Sequence, residues 1–302
     1  MIDCDQPWDS AETYYVRRRR GMLFGRLVRS PGGMLGLLLV VLVILVAILA
    51  PVLSPHDPAK QNIVYRLKPP FWMDDGSLEH PLGTDSVGRD ILSRVIHGSR
   101  ISIFVGLVAT AASALLGVSL GLFAGFLGGA VDSVISRVGD VQQAIPFLVL
   151  AIAVAAMLGP GLFNLILVLV ITTWVTFFRV VRGEVLSVRE EQYVLGAQSI
   201  GASNLRIILR YILPNVAASI IVIATLLVAN MIIFEASLSF LGLGVPSSIP
   251  TWGRIVADGR EYIADEWWIA FFPGLAILIT VMGINLFGDW LREDLDPKQR
   301  NR

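Results

Sequence analysis

Charged residues are absent from five long stretches of the chain: Ser30 to His56, Ile101 to Val131, Val141 to Phe178, Tyr211 to Phe234 and Trp267 to Gly288. A bilayer crossing needs about 20 predominantly apolar residues. The third stretch, at 38 residues, is too long for one crossing, and Gly159-Pro160-Gly161 in its middle reads as a turn that divides it. The pattern predicts six transmembrane helices, near 34–53, 101–125, 142–158, 162–178, 214–240 and 269–290. Strands are not expected, because barrel strands are segments of about 10 residues with alternating polarity. In hydrocarbon a helix satisfies its own backbone hydrogen bonds, so the fold class is all-α integral membrane.

Three polar segments separate these runs. Residues 54–100 begin with turn-rich sequence, and Asp85 to Gly98 then reads as an amphipathic helix lying in the membrane interface. Asp85 or Ser86 is placed to cap its start and Gly98 to end it. Residues 183–213 read as two short helices with a turn at Gly201, an N-cap at Ser203 and Pro214 in the first turn of the next span. That pair is too apolar to stay in water, so it either packs on the membrane or docks into another protein. Residues 241–268 end in Trp267-Trp268, which reads as an interfacial aromatic belt.

Composition adds that 55% of residues are hydrophobic and only 16% charged, against about 25% charged in soluble chains. One cysteine, Cys4, excludes a disulfide framework. Net charge is zero, so no nucleic-acid partner is implied. The charges are nonetheless sorted: Arg17 to Arg20, Arg26, Arg29, Arg137, Arg179, Arg182, Arg189, Arg206, Arg210, Arg292, Lys298, Arg300 and Arg302 all fall on one side, 16 of the 24 basic residues. The positive-inside rule then puts both termini in the cytoplasm, with the first span an uncleaved anchor.

Ionisable residues inside a membrane are functional candidates by default. Glu235 is the clearest, either as a contact along a translocation path or as a buried partner for a hydroxyl or Arg that packs an outer gate. Asn230, Thr172 and Thr173 are further candidates for lining a polar path. Gly117, Gly121 and Gly125 recur every four residues and predict a close helix–helix approach. No lysine is followed by Ser or Thr, so the chain holds no P-loop of its own. His56, His80 and His97 all lie in the segment 54–100, where surface and cap roles are expected ahead of a metal site, and no catalytic residue, metal or cofactor is expected in this chain.

The stretch from Ala197 through Gly201 to Ile212 and Pro214 resembles the coupling loop of ABC importer permeases, with Leu195 and Gly196 standing where that motif has Glu and Ala. His80-Pro81-Leu82-Gly83-Thr84-Asp85 with Gly88-Arg89-Asp90 looks like the peptide/nickel subfamily. So do Phe240-Leu241-Gly242-Leu243-Gly244, Asn285 to Asp289 and Asp294 to Pro297. Together these motifs place the chain beside the dipeptide and oligopeptide permease C subunits.

The resemblance implies a type I importer permease bundle (MetI-like). It would pair with a second, homologous permease, two ATP-binding subunits that carry ATP and Mg2+, and an extracytoplasmic substrate-binding protein. Residues 190–213 would be the coupling segment, with Ala197, Gly201, Ala202, Ser203, Arg206 and Arg210 toward an ATPase. The implied layout is a cytoplasmic tail at 1–33, a first span at 34–53 and an extracytoplasmic loop at 54–100. A permease core at 101–290 and a cytoplasmic tail at 291–302 follow. The implied location is the bacterial inner membrane. Peptides are the expected cargo, with nickel, glutathione or another small solute as alternatives. An ion-gradient-driven secondary transporter is the competing class.

Overall fold

The computed structural model describes residues 25–295. The expectations placed on Cys4, Arg17 to Arg20, Lys298, Arg300 and Arg302 lie outside those residues. Within them the chain is helical, with one isolated bridge, Thr84 to Asp90, in place of any sheet. Helix α1 is Pro31–Ile48, and after a break at Leu49 one further turn, α2, covers Ala50–Leu53. The others are α3 (Ile91–Leu127), α4 (Gly129–Ala144), α5 (Phe147–Leu158) and α6 (Leu162–Val188). Then come α7 (Gln192–Ser199), α8 (Asn204–Ile207), α9 (Leu213–Phe240), α10 (Trp252–Gly259) and α11 (Trp268–Leu295). A π-helical turn at Ile208–Ile212 joins α8 to α9.

Five helical segments are long and apolar enough to cross a membrane, and the bent pair α4–α5 makes up to a sixth crossing. Many of their large apolar side chains face outward, among them Leu38, Ile48, Leu115, Met157 and Phe163. That is the arrangement expected where lipid rather than water surrounds the bundle.

Four expectations are corrected. No separate interfacial helix covers 85–98. Helix α3 starts at Ile91, capped by Asp90, whose Oδ2 accepts the Ser93 N–H at 2.8 Å, and it runs through Gly98 without a stop. At 37 residues it is about 55 Å long, far more than a hydrocarbon core of about 30 Å, so its polar first turns stand beyond the membrane. Second, the span expected at 142–158 is two helices meeting at 96°. Pro146 has no N–H to give and holds Ile145 extended, so the helix stops at Ala144 and restarts at Phe147. Gln142 pins that corner to α6: its Nε2 donates to the carbonyls of Ile171 and Thr172, and its Oε1 accepts the Trp174 indole N–H.

Third, Trp268 is buried rather than part of a surface belt, and its Nε1 donates to the Thr84 carbonyl. Fourth, residues 241–268 are not simply loop, because α10 folds within them, capped by Thr251. The turn at Gly159-Pro160-Gly161 does separate α5 from α6, and the Asn164 Nδ2 donates to the carbonyls of Leu158 and Gly159.

Two glycine seams hold the bundle together. Gly117, Gly121 and Gly125 of α3 lie against α6: a Cβ at Gly117 would sit 2.3 Å from the Trp174 carbonyl oxygen, and one at Gly125 would meet Val185. At the second seam, a Cβ on Gly36 of α1 would lie 2.5 Å from the Phe287 nitrogen of α11. Backbones can approach this closely only where no side chain stands between them. Gly117→Leu is therefore expected to force α3 from α6 at a cost of about 1–3 kcal/mol, the usual range for overpacking. It should lower the thermal unfolding midpoint in detergent. Gly183→Leu, at a helical glycine with open space around it, should not lower the midpoint.

Candidate translocation and coupling sites

One end of the bundle is organised around buried charge. The chain from Asn62 to Asp90 crosses back on itself, which requires left-handed backbone at Gly83 and Gly88. A Cβ at Gly88 would lie 1.8 Å from the Asn62 carbonyl oxygen, so no other residue fits there. The turn aims Asp85 inward. Its Oδ1 accepts the Val87 and Arg89 N–H groups, and its Oδ2 accepts both Arg89 Nε and an Arg94 guanidinium N–H at 2.6 Å. From α10, the Oδ2 of Asp258 accepts from Arg89 at 3.3 Å and from Arg94 at 3.1 Å. Arg254 pairs with the other Asp258 oxygen at 2.9 Å. Arg94 and Asp85 are each 1% exposed. A polar cleft of about 330 Å3 opens beside this network, lined by Ser86, Arg89, Arg254, Asp258, Arg260 and Glu261 among others.

Glu235 lies nearby in α9, wholly buried. Its Oε1 accepts the hydroxyls of Ser239 and Thr251 at 2.8 Å each, and its Oε2 accepts the Ser102 hydroxyl at 3.4 Å. Ser102 Oγ in turn accepts the Trp252 N–H. One carboxylate thus binds α3, α9 and the start of α10 together. Three hydroxyl donors replace water around it, as a buried carboxylate requires.

The other expected path residues do not join it. Asn230 is exposed on α9, while Thr172 and Thr173 give their hydroxyls to α6 carbonyls. Thr173 also shares a hydrogen bond with Ser113 across the α3–α6 seam. None of these three, nor Glu235, lines the polar cleft or the apolar cavity of about 440 Å3 between α1, α3, α9 and α11.

The opposite end carries the short helix pair. Gly201 sits between α7 and α8 at φ +76°, the left-handed turn that glycine tolerates best. Ser203 occupies the N-cap position without a side-chain hydrogen bond. Val194, Ala197, Ile207, Ile208 and Ile212 turn inward and pack with Leu122, Val181, Val185 and Val216 of the long helices. Ala197 is 5% exposed and turns toward its own bundle. Ala202 is partly buried in the same cluster. What faces outward is Gly201, Ser203, Arg206 and Arg210, with apolar Leu195, Ile200, Leu205 and Leu209 among them. Ile200 is 82% exposed. This surface is held in place from behind and uncovered in front.

Residues 117–301 match the family described as binding-protein-dependent transport system inner membrane component. The chain belongs to that family. Residues 20–70 also match the N-terminal transmembrane domain of oligopeptide transport permease C. The relatives of this permease include the di/tripeptide transport system permease protein DppC of Pseudomonas aeruginosa, 42% identical over 89% of this chain and 88% of that one. A probable D,D-dipeptide transport system permease protein of Escherichia coli is 42% identical over 96% and 97%. The oligopeptide transport system permease protein OppC of Bacillus subtilis is 42% identical over 88% and 86%. The family places this permease in the inner membrane as a transport subunit working with an ATPase and a substrate-binding protein.

Sequence reading missed Asp258, Arg94 and the hydroxyl partners of Glu235. Asp258 meets Arg94 and Arg89 from 164 and 169 residues away, and of the Glu235 hydroxyls only Ser239, four residues on in the same helix, is local. Asp258→Ala leaves Arg94 and Arg89 sharing Asp85 alone. Breaking a buried pair in this way is expected to cost about 3–5 kcal/mol. The measurement is the yield of monodisperse protein extracted from membranes and its unfolding midpoint, both of which should fall sharply.

Proposed function

We propose that this permease forms half of the translocation path of an ATP-driven importer for di- or oligopeptides. It would pair with a second permease, with two ATPase subunits at the α7–α8 end and a peptide-binding protein at the Asp85–Glu235 end. The peptide assignment rests on the named cargo of the relatives. Both termini then lie in the cytoplasm, because the α7–α8 end carries Arg179, Arg182, Arg189, Arg206 and Arg210.

One observation carries the coupling: α7 and α8 are anchored by a buried face and present an apolar outer face with a glycine turn. An ATPase that closes on ATP would push on Ile200, Gly201 and Leu205, and the inward anchors Ala197, Ile207 and Ile208 would pass that movement to α3, α6 and α9. ATP at one end and the loaded binding protein at the other would supply the differential interaction that any change between outward-open and inward-open states needs. Glu235, with Thr251 and Ser102, would then hold the outer end shut, while Asn230 on the exposed face of α9 would meet the second permease or the path between them.

Gly201 has open space around it, so a bulky residue there costs local strain without disturbing the bundle core. Gly201→Trp is expected to abolish peptide uptake while membrane insertion stays normal, measured by labelled-dipeptide uptake beside a quantitative blot of membranes. Normal uptake by that variant would reject the docking of 190–213.

A further inference from the structure

Three side chains that are far apart in sequence meet at the outer tip of α3. His80 Nδ1 lies 3.0 Å from Asp90 Oδ1, and His56 Nδ1 lies 4.0 Å from Asp90 Oδ2. One ligand-capable atom from each of the three falls within 4.8 Å of the other two. The two imidazoles lie 4.7 Å apart at 33°, and the Tyr65 ring closes edge-on against His80. Asp90 and His80 are buried, which fixes two of the three donors in place. His56 Nδ1 is also shielded from solvent but makes no hydrogen bond. A buried ring nitrogen without a partner calls for one.

We propose that His56, His80 and Asp90 bind a divalent transition-metal cation, with Zn2+ the best match and a water completing four-fold coordination. Two imidazoles and a carboxylate form a donor set suited to zinc, with bonds of about 2.0–2.2 Å and hence donor–donor edges of about 3.3 Å in a tetrahedron. The His80–Asp90 edge, through Oδ1, already has nearly that length, and with all three donors within 4.8 Å of one another the remaining edges close by at most about 1.5 Å. Asp90 Oδ2 keeps its bonds from the Ser93 N–H and hydroxyl, which orient the carboxylate from behind. His97 takes no part, because its Nδ1 is engaged by Ser54 and the Ser93 carbonyl. The ion would clip three pieces of chain together: the segment leaving α2, the turn at His80 and the start of α3. This assignment rests on side-chain positions alone and stands whatever the cargo is.

The test uses the full-length chain, purified without a histidine tag in the assembly that detergent extracts, with Zn2+ or Co2+ as the only added metal. The wild type is expected to retain about one more Zn2+ per chain than His56→Ala after gel filtration. With Co2+ it should show the visible absorption of a four-coordinate site, which His56→Ala lacks. Since His56 makes no side-chain hydrogen bond in the fold, that variant should elute like the wild type. The wild type alone gives a second reading, a thermal midpoint that rises with added Zn2+ and falls back with chelator. Equal zinc content in both proteins overturns the proposal. So does a wild type with neither a Co2+ spectrum nor a zinc-dependent midpoint, whatever the variant does.

Discussion

Two guanidinium groups sunk in the protein need two carboxylates, and Asp85 and Asp258 supply them. A buried ion pair is costly to assemble and costlier to break, so its value is less in net stability than in fixing what must lie next to what. Arg94 belongs to α3, Asp258 to α10, and Asp85 and Arg89 to the loop before α3. Bringing them together sets where the loop folds back and where α10 sits. Setting α10 places Thr251 and Trp252 over Ser102 and Glu235. This end of the bundle is therefore a chain of dependencies that begins with a charge balance rather than with hydrophobic packing.

The opposite end is built on a different physical basis. There Gly117, Gly121 and Gly125 bring α3 and α6 into backbone contact, and Ala197 and Ile207 fill the space left between those helices and α9. Lipid tails are as apolar as leucine, so burial drives little association inside a membrane, and close packing has to do most of it. The bundle thus combines a polar clamp at one end with steric complementarity at the other. Residues 190–213 join the second region on one face and remain open on the other.

Local chemistry was legible in the sequence. The turn at Gly159-Pro160-Gly161, the left-handed Gly201 and the small-residue ladder on α3 could each be read from a few adjacent positions, because the physics that sets them is local. The family could be read for the same reason, from short motifs in a fixed order. The beginning of α3 could not. Arg89, Asp90, Arg94 and Arg100 break the apolar run, and a reading based on charge ends the span there, whereas the helix continues past Arg94, whose charge Asp85 and Asp258 receive. A proline at 146 tells of a kink but not of a 96° corner, because a charge-free window does not distinguish a straight span from a sharply bent one. Ala197 was assigned to a partner because the motif names it, but a motif does not say which way a side chain turns. Glu235 was singled out correctly as a buried acid, yet its three hydroxyl partners come from three separate elements. His56 and His80 were set aside as metal ligands because the spacing that brings them to Asp90 is made by a loop crossing over itself.

Helix α3 runs unbroken from the Asp90 cap at one end to Leu127 at the other. It touches the charge network through Arg94, the Glu235 cage through Ser102 and the anchored helix pair through Leu122. A rod of about 55 Å obeys lever arithmetic: a tilt of about 5° displaces one tip by about 5 Å relative to the other. A tilt anchored at one end of this helix would therefore be felt at the other without a relay of small rearrangements along the way.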